Sequence, residues 1–158
     1  MPGVKKIFRT KLTDTSTTDL EGVNTLRWEG NKCYKWVKYN YGAGSVAAVA
    51  GNVVYSYALS GDGVSAGYEN GEVTMDLTDG LIAMGILQAI IAHGSYGWIQ
   101  VKGPATVTTA LTAGADGNSL TAIGTTDGTL DVSAAVTDAV TAFATDISAK
   151  MIVCDFPF

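Results

Sequence analysis

Cysteine, histidine, proline and charge are all scarce in this chain. Of its 158 residues, two are cysteine, one is histidine and three are proline. Charged residues make up 16%, against about 25% in an average soluble domain. Hydrophobic residues supply 47%, so wholesale disorder is excluded and much of the surface must be uncharged. Such a surface is expected to be covered by something else. The 19 glycines follow no collagen period and belong to no proline-rich linker. The longest apolar stretch, Leu81 to Ala92, is broken by Gly85 and Gln88 and falls short of the roughly 20 residues that cross a bilayer. The basic start, Met1 to Thr10, is followed by no apolar segment of the secretory type, so folding in a cytoplasm is expected.

Net charge is −5, and it is unevenly placed. Residues 1–38 carry eight Lys and Arg against four Asp and Glu, whereas residues 39–158 carry two against eleven. A chain polarised in this way suits contacts between protein copies, a basic arm steering onto an acidic surface. Nucleic acid is not an expected partner, because a pI near 4.6 lacks the broad basic footprint that phosphate binding needs. Nor is a membrane.

What is present reads as short strands. Thr25–Trp28, Cys33–Tyr39, Val53–Ala58, Glu72–Leu77, Trp98–Lys102 and Ala105–Leu111 are rich in β-branched and aromatic residues, with turn formers between them. Asp-Gly pairs at Asp62-Gly63, Asp79-Gly80, Asp116-Gly117 and Asp127-Gly128 supply hairpin turns, as does Glu29-Gly30-Asn31-Lys32. The run Lys150–Phe156 has strand length and an almost continuous apolar pattern, which predicts a buried central strand. Leu81–His93 and Ala134–Ile147 can also be drawn as helices. In the second, Val136, Val140, Phe143 and Ile147 recur at helical spacing, but three threonines oppose it, so it stands as a candidate short helix. Residues 1–22 offer little to bury and predict an extended arm that orders on a neighbour, ahead of one β domain over 23–158. The expected fold is therefore all-β, a compact barrel or sandwich.

The chemical inventory is thin. His93 has no second histidine to share a metal or a proton relay with, and no Gly-x-Ser-x-Gly elbow exists, so it reads as a loop histidine. Cys33 and Cys154 fit no zinc or thioredoxin spacing and read as small buried residues. A bridge between them would add about 4–5 kcal/mol on the chain-entropy model, though a cytoplasmic origin argues against one. Gly42-Ala43-Gly44-Ser45 and Gly61-Asp62-Gly63 lack the Lys-Ser/Thr of a phosphate loop. Gly114–Ser119 lacks the alternating carboxylates of a calcium loop. No enzymatic activity, cofactor or metal is expected.

Aromatic residues are plentiful by contrast. Trp28, Tyr34, Trp36, Tyr39, Tyr41, Tyr55, Tyr57, Tyr68, Tyr96 and Trp98 crowd the first two-thirds, and alternation places Tyr34, Trp36 and Lys38 on one face. Rings that bury large area while keeping a polar tip suit association with protein or stacking on sugar. Partner contacts are assigned to Lys5, Lys6, Phe8, Arg9 and Lys11 in the arm and to Tyr34, Trp36, Tyr96 and Trp98 on the body.

Two segments, Gly94-Ser95-Tyr96-Gly97-Trp98-Ile99-Gln100-Val101-Lys102-Gly103-Pro104-Ala105 and Gly30-Asn31-Lys32-Cys33-Tyr34-Lys35-Trp36-Val37-Lys38, resemble head-decoration, or cement, proteins of tailed bacteriophages. The likeness runs in order from about Asn24 to Phe158, while the arm matches only in being extended. It implies a mostly β body, trimeric or otherwise clustered, that sits on the outside of a phage head and locks its major capsid protein. It carries no catalytic residues. The arm is then expected to add a strand to a coat sheet edge, with Lys5, Lys6, Arg9 and Lys11 meeting coat carboxylates. Removing residues 1–20 is expected to leave a folded body that no longer binds capsids. The alternative is a tail- or fibre-associated module that holds host glycan on its Tyr and Trp faces.

Overall fold

A computed structural model describes residues 6–57 and 70–157. Their regular elements are ten strands: β1 Leu26–Glu29, β2 Lys32–Tyr39, β3 Val53–Tyr57, β4 Glu72–Thr74, β5 Gly80–Leu87, β6 Tyr96–Thr106, β7 Ser119–Thr121, β8 Asp131–Val132, β9 Ala142–Asp146 and β10 Met151–Asp155. The all-β expectation holds. The Asp62-Gly63 turn, Gly61 and Tyr68 lie outside the described residues.

The strands form one sheet whose first part closes on itself. β2 pairs in parallel with β4, β4 with β3, β3 with β5, β5 with β6, and β6 returns to β2 through a six-pair antiparallel ladder from Cys33–Lys102 to Lys38–Tyr96. Closure removes edges that would otherwise template pairing with other chains. Strands β2 and β6 of this ring each change neighbour along their length. β2 pairs with β1 through Lys32–Lys35 and with β4 at Lys38 and Tyr39. β6 pairs with β5 at Ile99 and Gln100 and with β10 over Lys102–Thr106. From β10 the sheet continues outward through β9 and β7 to β8.

One main core serves both parts. Val37, Tyr39, Tyr55 and Ile99 of the ring and Leu120, Ala142 and Ile152 of the extension belong to a single buried cluster. Tyr55 couples them further, because its hydroxyl donates to the Thr129 carbonyl at 2.6 Å and accepts from the Thr129 N–H at 3.0 Å. Gly80 is needed for space rather than for turning. A Cβ there would stand 2.4 Å from that of Tyr55, so the Asp79-Gly80 pair opens β5 instead of supplying a positive-φ hairpin residue.

Several expected boundaries shift. Leu81–His93 is no helix, since Gly80–Leu87 is strand β5. Ala134–Ile147 is no helix either. Its first half is a turn fixed by Asp138 and its second half is β9, where Phe143 points outward between buried Ala142 and Ala144. Trp98–Lys102 and the first two residues of Ala105–Leu111 belong to one strand that runs through Gly103 and Pro104 and ends at Thr106, so Val107–Leu111 lies outside the strand. β10 takes the predicted central place, between β6 and β9, but buries only one face: Ile152 and Cys154 point in, and Met151 and Val153 point out.

Candidate partner-binding surface

Alternation along β2 splits its side chains between two clusters. Cys33, Val37 and Tyr39 enter the main core. Tyr34 and Trp36 turn to the other face, where they meet Trp98 in a second, smaller cluster. The register explains the pairing, since Trp36 lies opposite Trp98 across the β2–β6 ladder. Their rings meet edge to face at 5.2 Å, and Tyr96 stacks on Trp36 at 6.5 Å.

That face is covered by the chain itself. Phe8 and Leu12 of the arm pack onto the cluster, and Phe8 meets Trp98 edge-on at 5.5 Å. Both indole N–H groups donate to arm side chains, Trp98 to the Thr10 hydroxyl at 2.8 Å and Trp36 to Asp19 Oδ1 at 2.9 Å. Ser16 and Tyr96 exchange backbone hydrogen bonds as a short antiparallel bridge. The Arg27 guanidinium of β1 lies between the layers, 5.0 Å from the Phe8 ring and 5.7 Å from that of Trp98, and donates to the Thr10 carbonyl.

The expectation that the arm orders only on a neighbour is therefore corrected, because residues 6–22 are held on their own body. The assignment of Tyr34, Trp36 and Trp98 to a partner-facing surface is corrected as well. Trp36 and Trp98 are fully buried and Tyr34 nearly so, while Tyr96 is half-buried. The physical reason is area. Burying two indoles stabilises the chain by several kcal/mol, of the order of 1.5–3 each for a large apolar side chain, and Phe8 and Leu12 are close enough to collect it. Of the predicted arm residues, Lys6, Arg9 and Lys11 remain exposed, Phe8 is half-buried, and Lys5 lies outside the described residues.

Glu21 is the anchor that sequence reasoning missed. Its buried carboxylate accepts the N–H groups of Arg9 and Thr10 at 2.7 and 2.8 Å and the Thr10 hydroxyl at 2.9 Å. It thereby satisfies backbone donors of the arm that would otherwise be orphaned. The only available signal was an isolated acid beside Gly22, whose backbone is left-handed.

The remaining candidate groups make contacts within the chain. His93 Nδ1 accepts the Tyr41 N–H at 3.2 Å, and its ring lies 5.1 Å from that of Tyr41. The N–H groups of Ala43 and Gly44 donate to Asp79 and Asp76, so this glycine loop cradles the chain's own carboxylates. In the Gly114–Ser119 segment, Asp116 accepts the Ile147 N–H. Among the described residues no group of three or more His, Cys, Asp or Glu is placed to hold a metal ion.

Cys33 and Cys154 are free and buried. Burial pushes the Cys154 thiol up to about 12 and raises that of Cys33. Native protein is therefore expected to resist a thiol-reactive disulfide reagent over hours at pH 8, with both thiols titrating within minutes in denaturant. Rapid labelling of either one in the native state would contradict this burial.

The exposed apolar groups lie elsewhere. Phe143 and Val153 face each other across β9 and β10 on the outward side, with Met151 on the same face of β10. Among the described residues, Ile7, Ile90 and Val136 are the most exposed large aliphatic side chains. Comparison with protein families, with curated proteins and with solved structures gives no match for this chain.

Proposed function

We propose that this chain is a virion structural protein, a decoration or cement protein that binds the outside of a tailed-phage head and stabilises the coat lattice. Its partners on this reading are the major capsid protein and further copies of itself. It works without catalysis or a cofactor, is made in the host cytoplasm and ends on the virion.

The observation that carries the reading is the two-sided arm. One side is fastened to the indoles of Trp36 and Trp98, and the other presents Arg9, Lys11 and Ile7 to solvent, while the Lys6 ammonium turns back to donate to the Glu21 carbonyl and the Thr25 hydroxyl. A preformed basic ridge on an otherwise acidic chain suits an acidic protein surface and loses little entropy on docking. The glycan alternative relied on the faces of Trp36 and Trp98, which the arm covers.

Reversing two exposed cations, Arg9→Glu with Lys11→Glu, is expected to leave the fold intact and to weaken binding to purified expanded heads by at least about tenfold. Occupancy counted by electron microscopy over a protein titration measures this. Unchanged occupancy at every concentration would remove the arm from the contact.

A further inference from the structure

The outward side of the β9–β10 ladder carries a strip of Phe143, Val153 and Met151, each about two-fifths exposed. Its two ends differ. At the Ala142–Cys154 end stands the loop that enters β9, with Val136 fully exposed at its tip and Val140 beside it. This loop has a fixed shape. Asp138 Oδ2 accepts the N–H groups of Ala134 and Ala135 at 2.9 and 2.8 Å and the Ser133 hydroxyl at 3.3 Å. Oδ1 takes none of these bonds. The Ala135 and Ala134 N–H groups also hold the carboxyl below its ordinary range, so it is an anion throughout the neutral region.

At the Asp146–Met151 end lies a hollow of about 220 Å³ lined by Lys32, Pro104, Ala105, Thr106 and Met151. Lys32 makes no ion pair among the described residues. One end of the strip is therefore a rigid apolar knob with a carboxylate, and the other is a hollow with an ammonium at its wall.

We propose that the Val136 knob of one copy seats in the Lys32–Met151 hollow of a second copy, with Asp138 meeting Lys32 across the contact. Apolar surface joins apolar surface, and the opposite charges set the direction. Because knob and hollow are different patches, the contact is heterologous, and its repetition closes a ring of copies when the rotation allows. The inference deepens the clustered state in the proposed function and rests on that reading only for its biological use.

Sedimentation of the full chain tests it. Wild type is expected to assemble with rising concentration, and Val136→Asp to remain monomeric with an unchanged melting curve, since the replaced side chain is fully solvated. Val136→Cys and Thr106→Cys proteins, each made separately and then mixed under oxidation, are expected to give mixed dimers, while Val136→Cys alone gives few. A wild type that stays monomeric at its highest soluble concentration overturns the inference. So does assembly by Val136→Asp, or full-yield dimers of Val136→Cys alone. Head binding is scored in parallel. Assembly without head binding leaves the ring and removes the cement reading, and head binding by a wild-type monomer does the reverse.

Discussion

Trp98→Ala is expected to lower the free energy of unfolding by about 3–5 kcal/mol and to release the arm at the same time. The indole is fully buried, touches Phe8 and Trp36 edge-on and donates to the Thr10 hydroxyl. Truncation removes all three contacts and leaves a cavity under the arm that Phe8 alone cannot fill. Denaturant unfolding followed by fluorescence gives the stability loss. Limited trypsin digestion gives the second half of the prediction, because Lys6, Arg9 and Lys11 become cleavable when the arm leaves the sheet. Val136→Ala is the control, with an expected change within about 0.5 kcal/mol. An arm as resistant in Trp98→Ala as in wild type would mean that Glu21 and Asp19 hold it without the aromatic layer.

Lys35 supplies the second large effect, as a dependence on pH. It sits on β2 with the parity of Cys33 and Val37, is 1% exposed, and burial brings its ammonium down to about 8. The unfolded chain holds this proton up to about 10.4, so between these values the unfolded state binds more protons than the folded one. Stability contributed by this group therefore rises with pH across that window, and the full penalty is present below it. Lys35→Met abolishes the linkage. The stability of Lys35→Met relative to wild type is expected to fall by about 3 kcal/mol between pH 7 and pH 10.5. The comparison must be a difference between the two proteins. Cys154 and Tyr39, both raised to about 12 by burial, ionise first in the unfolded chain and lower stability at the alkaline end of either protein. Parallel pH profiles for the two proteins would show that Lys35 keeps an ordinary affinity for its proton.

Much of the fold could be read from local pattern, because the main signals are local. β-branched and aromatic alternation located β2, β3 and the start of β6, and the parity of Tyr34 and Trp36 against Cys33 and Val37 separates two packing layers. The pattern misleads where two periodicities overlap. Val136, Val140, Phe143 and Ile147 recur at helical spacing, yet the first two are exposed on a turn and Phe143 is on a strand. The Asp138 carboxylate closes the turn by accepting the Ala134 and Ala135 N–H groups, and the pairing of Ala142–Asp146 with β10 and β7 takes the second half into the sheet. Gly103-Pro104 reads as a breaker between two strands. In the sheet it lies inside β6, opposite Cys154 and Val153 of β10, a pairing that depends on residues far along the chain.

The site was legible by half. Composition showed that the aromatic face needed a cover, but not whose. Phe8 and Leu12 are two apolar residues in a polar segment, and their value comes only from contacts with Trp36 and Trp98, formed across the fold. The Glu21 anchor has the same character, since nothing local marks a carboxylate that will gather backbone donors from Arg9 and Thr10.

The position of β10 carries a consequence for how the molecule is made. It is the last of the ten strands in chain order, and among the described strands it makes the only ladder between the closed ring and β9, and through β9 to β7 and β8. Until it emerges, the nascent β7–β9 segment lacks its ladder to the sheet and keeps only side contacts such as Tyr55 with Thr129, and the flank of β6 over Lys102–Thr106 stays unpaired. Completion of the sheet thus waits for the last of these ten strands, and chains cut before it would display an adhesive strand edge to chaperones and to one another.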